Sequence, residues 1–157
     1  MWEAVAPYAA SLEASALGVA ARTATWLYPF ANLVHVLGAA LVVGAIATFD
    51  VQILRGAPRA GLVVRAGMPV AVVGFLLQLA SGVVLISAEA TTVIRNPAFV
   101  TKMAFLLLAL ANVAVFHLRF HTALTAGRLP PGAKMLALVS LTTWSIVLLA
   151  GRAIAYL

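Results

Sequence analysis

Cysteine is absent from the 157-residue sequence, and charge is scarce: four acidic residues, ten basic ones and three histidines. Without thiols the chain forms neither disulfides nor thiolate metal centres, which removes iron–sulfur clusters and zinc fingers. Charged side chains make up 9% against 64% hydrophobic residues, and the mean hydropathy is +1.11. A water-soluble domain needs far more polar surface, so the composition is that of an integral membrane protein. The length suits one transmembrane domain over residues 1–157 with no second domain. Also missing are a nucleophile–base pair, a phosphate-cradling loop and a carboxylate dyad, so hydrolytic chemistry has no support. The first 21 residues hold Glu3 and Glu13 and no basic stretch ahead of an apolar core, so no cleavable leader is expected.

A helix needs about 20 apolar residues to cross the hydrocarbon core. Four stretches supply them: about 30–54, 68–88, 98–121 and 134–156. Pro29, Pro69, Pro97 and the Pro130-Pro131 pair stand at or near their starts, where a missing N–H does little harm. Residues 9–21, "AASLEASALGVAA", have helical composition but too little bulk to cross. They are expected as a short helix in the interface, followed by Trp26 and Tyr28 as headgroup-level anchors. The expected fold is all-α: an integral membrane four-helix bundle with a short N-terminal interfacial helix. Glycines 38, 44, 74 and 82 suit close helix approach in lipid.

The net charge of +6 comes from basic residues scattered between apolar spans. Such a pattern signals topology and anionic-lipid contact, with no nucleic-acid partner. Arg55, Arg59 and Arg65 cluster after the first span, and Arg119, Arg128 and Lys134 around the third loop. The opposite side carries Glu3, Glu13 and Glu89 against Arg22, Arg95 and Arg152. Positive-inside bias therefore puts both chain ends outside and the two basic loops in the cytoplasm.

Ionisable residues at membrane depth mark candidate sites. His35 follows Pro29 by six residues and Lys102 follows Pro97 by five. The first and third spans run in the same direction, so both lie roughly 7–9 Å below the outer surface at 1.5 Å per residue. Asn32, His35, Ala39 and Ile46 fall on one stripe, with Asp50 near it lower down. His117 and His121 lie one turn apart at the far end of the third span, about 20 Å from the level of His35, too far to share one iron with it. A haem on His35 takes its second ligand from the outer half, Lys102 or Met103, with Asn32 alongside and Arg22, Arg95 or Arg152 as propionate partners. A metal on His117 looks instead to His121, Met68 or Met135. Plainer roles stand beside these. His35 can serve as an interhelical hydrogen bond, Lys102 can snorkel outward, and His121 can sit at the interface beside Arg119. Asp50 is expected to pair with an arginine, Glu89 and Arg95 to form solvated surface, Asn112 and Gln78 to bond across the bundle, and Phe116 and Phe120 to pack.

The runs "EASALG…WLYPFANLVHVLGAALVVGAIATFD" and "NPAFVTKMAFLLLALANVAVFH" resemble a family of bacterial four-helix membrane proteins whose function is not established. The layout, a His early in the first span and a Lys opening the third, is similar to HemJ-type protoporphyrinogen oxidases and to the membrane domain of copper-resistance protein D. The first likeness implies a bacterial cytoplasmic-membrane protein with His35 as a haem b or porphyrin ligand and Lys102 at the same site. It implies a redox or electron-transfer role, with a quinone, a porphyrin or a redox protein as partner. The chain reads "YPFANLVH" where that group has a Trp-x-Lys lead-in, and "FDVQIL" where it has an aromatic-Arg-Leu exit. The second likeness implies copper, or a small solute, as cargo. A structural small subunit of a membrane complex and a homo-oligomer are the remaining expectations.

Overall fold

In hydrocarbon a peptide group has no partner except another peptide group, so each long apolar stretch closes its hydrogen bonds on itself as a helix. A computed structural model describes residues 2–56, 60–125 and 130–157, without the side chains of 2, 60, 61, 121, 122, 124 and 125. Its helices are α1 (Trp2–Ala14), α2 (Ala16–Thr23), α3 (Leu27–Leu54), α4 (Ala60–Ala88), α5 (Ala90–Val93), α6 (Pro97–Thr125) and α7 (Ala133–Ala153). Helices α3, α4, α6 and α7 are long and apolar enough to cross a membrane. The chain is an all-α four-helix bundle of membrane type. Arg59 and Arg128, both used for topology, lie outside the described residues.

The packing inverts that of a soluble bundle. Leu33, Val36, Leu76, Leu79, Leu107, Leu108 and Leu149 face outward. Alanine, serine and glycine fill much of the interior, where small side chains let backbones meet. Among the four long helices, α3 and α4 make the tightest crossing. A Cβ added to Gly38 would stand 2.8 Å from the Gly74 carbonyl oxygen, and one added to Gly74 would stand 2.8 Å from the Gly38 oxygen. Helix α3 packs on α4 and α7, and α6 packs on α7, while α4 and α6 meet only sparsely among the described residues. Helices α3 and α6 therefore stand across a diagonal of the bundle, and the α4–α6 seam is its loose side. Phe49, Phe116 and Phe120 stack edge to face at the loop end, with centroids 5.1 and 5.4 Å apart. Phe116 and Phe120 are packing residues, as expected.

Several boundaries differ from the sequence expectation: α3 starts three residues earlier, at Leu27, and α6 runs four residues further, to Thr125. Helix α4 starts at Ala60, not near residue 68, so Pro69 lies inside it and leaves the Arg65 carbonyl without its helical donor. Helix α7 stops at Ala153, short of residue 156. The single interfacial helix over 9–21 is instead two helices bent by 64°. Ser15 breaks them: its hydroxyl accepts from the Gly18 N–H at 3.2 Å, a serine N-cap that starts α2 afresh. Trp26 and Tyr28 then lead into α3, both exposed.

Helices α1 and α2 are fastened over the end of α4. Arg22 donates to the Ala88 oxygen at 2.9 Å, satisfying a carbonyl at the helix terminus, and to the Glu13 oxygen at 2.7 Å. The Glu13 carboxylate accepts from the backbone N–H and hydroxyl of Thr91 at 2.7 and 2.8 Å. These bonds, the backbone one first, with Arg22 adding attraction, hold the Glu13 carboxyl below its ordinary value of 4.5.

Candidate functional site

His35 lies in the third turn of α3 and Lys102 in the second turn of α6, so co-directional helices carry them to one level. Their matched depth becomes contact across the diagonal: Lys102 Nζ is 3.3 Å from His35 Nε2. The other ring nitrogen, Nδ1, lies 2.9 Å from Ser81 Oγ on α4. Ser81 places its own proton on the Leu77 carbonyl at 2.5 Å, and so can only accept from the imidazole. That assigns the proton of a neutral His35 to Nδ1 and leaves Nε2 as a bare lone pair aimed at Lys102. Gln78 Nε2 donates to the His35 backbone oxygen at 2.8 Å, fastening the same turn of α3 to α4.

Interhelical hydrogen bonds of this kind average only about 0.6 kcal/mol of net stability in membranes. Orientation is the larger consequence here. Ser81 sets the tautomer, Gly82 sits against the ring and Gly151 against the lysine stem. A Cβ on Gly82 would meet His35 Cε1 at 3.3 Å, and one on Gly151 would meet Lys102 Cδ and Cε at 3.6 Å.

The other expected residues scatter. Met103, one position past Lys102, is 39% exposed and turns out of the bundle, so it does not join His35. Asn32 and Arg95 are exposed. Arg22 is engaged at the α4 terminus, and Arg152 bonds the Tyr156 hydroxyl while its guanidinium lies 4.7 Å over that ring. Glu89 is exposed with Arg95, as expected of a solvated loop. Asn112 bonds across the bundle to the Leu136 oxygen at 3.2 Å. His117 lines a cavity near the loop end of the bundle, where Met68 also sits, while Met135 is exposed. The His121 side chain lies outside the described residues.

Asp50 departs most from expectation. It is 2% exposed, and among the described residues it meets Ser140 of α7 and no arginine, and its Oδ2 has no hydrogen-bond partner. Sequence reasoning missed Ser81, Gly151 and Ser140, and read Gly82 only as a glycine for close helix approach. Only Ser81-Gly82 left a signal: counting back from the end of α4 puts this small pair at the His35 level. Among the described residues, no three His, Asp or Glu side chains gather as a bare metal ion needs. A haem iron makes no such demand, because the porphyrin supplies four nitrogens and the protein one or two. No protein family, curated protein or solved structure matches the chain.

Proposed function

We propose that the chain is a membrane-embedded haem b-binding protein with a redox or electron-transfer role. His35 is the iron ligand, and Lys102 is the second ligand or a propionate partner. The observation that carries this reading is the His35 Nε2 lone pair, anchored through Nδ1 by Ser81 and faced by a second nitrogen donor. A metal-bound imidazole ligates through one nitrogen and fixes the other by a hydrogen bond, and this arrangement supplies both halves. The donor set of two nitrogens and no thiolate suits a b-type centre. Bound haem would supply a one-electron couple. Ser81 would hold the ring tautomer, Gly82 would leave the imidazole its space, and the α1–α2 cap would keep water from the outer end. A quinone or a redox protein is the partner this chemistry needs.

The test is the absorption spectrum of dithionite-reduced protein purified from cells supplied with haem. The expected result is a Soret band that His35→Ala abolishes and Lys102→Met shifts. Wild-type protein with no Soret band overturns the reading.

A second reading, copper or small-solute transport, draws on polar groups placed at both ends of the bundle. His35 and Lys102 stand at one end, and Asp50, Asn112, His117 and Ser140 surround a cavity at the other. Copper retained without porphyrin, after purification free of metal-affinity resin, would select it.

A further inference from the structure

The loop-end cavity, of about 120 Å³, lies along the loose α4–α6 seam and is walled mainly by apolar side chains. Asp50 is among its lining residues, 98 parts in 100 hidden from solvent, with one carboxylate oxygen unpartnered. A buried acceptor left bare costs about 1–3 kcal/mol, and more when it is charged. We infer that this cavity binds a primary ammonium group, whose N–H donors meet the Asp50 carboxylate.

Three features favour that chemistry. As a carboxylate, the unmet atom is an acceptor, so its occupant must donate. Asn112 commits its amide nitrogen to the Leu136 oxygen, leaving its own oxygen as another acceptor beside the cavity. Phe49 and Phe116 add aromatic rings to the wall, which attract an ammonium through their faces and do little for a neutral alcohol.

A hard metal ion fits worse, because it needs about six oxygens and these walls are largely hydrocarbon. Size narrows the occupant further. A 150 Å³ apolar cavity holds benzene, so this one takes an amine of about four or five heavy atoms. A small soluble alkylamine and the ethanolamine end of a phospholipid both qualify. Arg65 on the cavity wall suits the phosphate that accompanies the second.

The experiment uses the full chain in nanodiscs and does not involve the haem spectrum. Thermal unfolding is followed with added n-butylammonium chloride, with n-butanol as the neutral control. It is repeated in phosphatidylcholine discs with and without phosphatidylethanolamine. Saturable stabilisation by butylammonium and none by butanol is expected, with Asp50→Asn weakening the response at least ten-fold in apparent affinity. Stabilisation by phosphatidylethanolamine as well, lost in Asp50→Asn, assigns the lipid as source. Stabilisation by butylammonium alone assigns a soluble amine. Equal effects of amine and alcohol, an undiminished response in Asp50→Asn, or no shift from either amine source in wild type overturns the inference. The amine–alcohol comparison needs no variant, so it stands even where Asp50→Asn folds poorly.

Discussion

At the end of the bundle that carries the chain termini, buried polarity is closed on itself: Ser81 bonds Leu77, His35 bonds Ser81, and Lys102 bonds His35. At the loop end, Asp50 meets Ser140 beside a cavity, and its Oδ2 has no partner among the described residues. Both groups sit on α3, fifteen residues apart, within the same kind of apolar helix. What differs is the neighbour. The tight Gly38–Gly74 crossing brings α4 against α3 near His35, whereas the sparse α4–α6 seam leaves open space near Asp50. Small residues at a crossing decide whether a buried polar group is set against protein neighbours or left beside open space.

Gly38→Leu should have the largest effect on this contrast. The new side chain meets the Gly74 oxygen and the Gln78 backbone, neither of which can give way, so α3 and α4 must part. A loss of about 3 kcal/mol is expected from such overpacking, seen as a drop in thermal unfolding temperature in detergent. The His35–Ser81 bond should fail with it, because it spans that interface.

Next comes a pair of substitutions with opposite signs. His35→Ala strips Lys102 of its partner and should destabilise by about 2 kcal/mol, the cost of stranding a buried polar group. Asp50→Leu removes the bare carboxylate and should stabilise amine-free protein by about 1 kcal/mol, since an apolar side chain suits those walls. Both follow from chemical unfolding of matched samples. The same sign at the two sites would erase the contrast.

The smallest effect lies outside the membrane spans. Glu13 titrates lower in the folded protein than in the unfolded chain, so the stability it contributes is present above pH 4.5. As pH falls below that and through the lowered folded value, the contribution is lost. The amide-exchange protection factor of Thr91 should fall over that acidic window, and Glu13→Gln should make it low and pH-independent there. Unchanged Thr91 protection in acid would show that α1 is held by packing instead.

Much of this molecule was legible beforehand where the information is one-dimensional. Run length marked four crossings, and counting from Pro29 and Pro97 put His35 and Lys102 at one level. The same counting fails at Pro69, because lipid-buried helices tolerate proline internally as well as at their starts. It fails also at Ser15, whose hydroxyl caps a new helix within what composition presents as one. The turn of each residue about its helix axis was less legible. Met103 and Lys102 are neighbours in sequence and at similar depth, yet one faces outward and the other inward.

Sequence alone determined that four segments are apolar enough to cross a membrane and the level of each polar residue along its helix, because hydropathy and helical rise are properties of a single segment. Tertiary structure alone decided that α3 and α6 face each other diagonally, that Ser81 orients the imidazole, and that Asp50 turns inward to Ser140 and a cavity. Those outcomes depend on where backbones can touch, and glycines on two different helices must meet before any one of them specifies a contact.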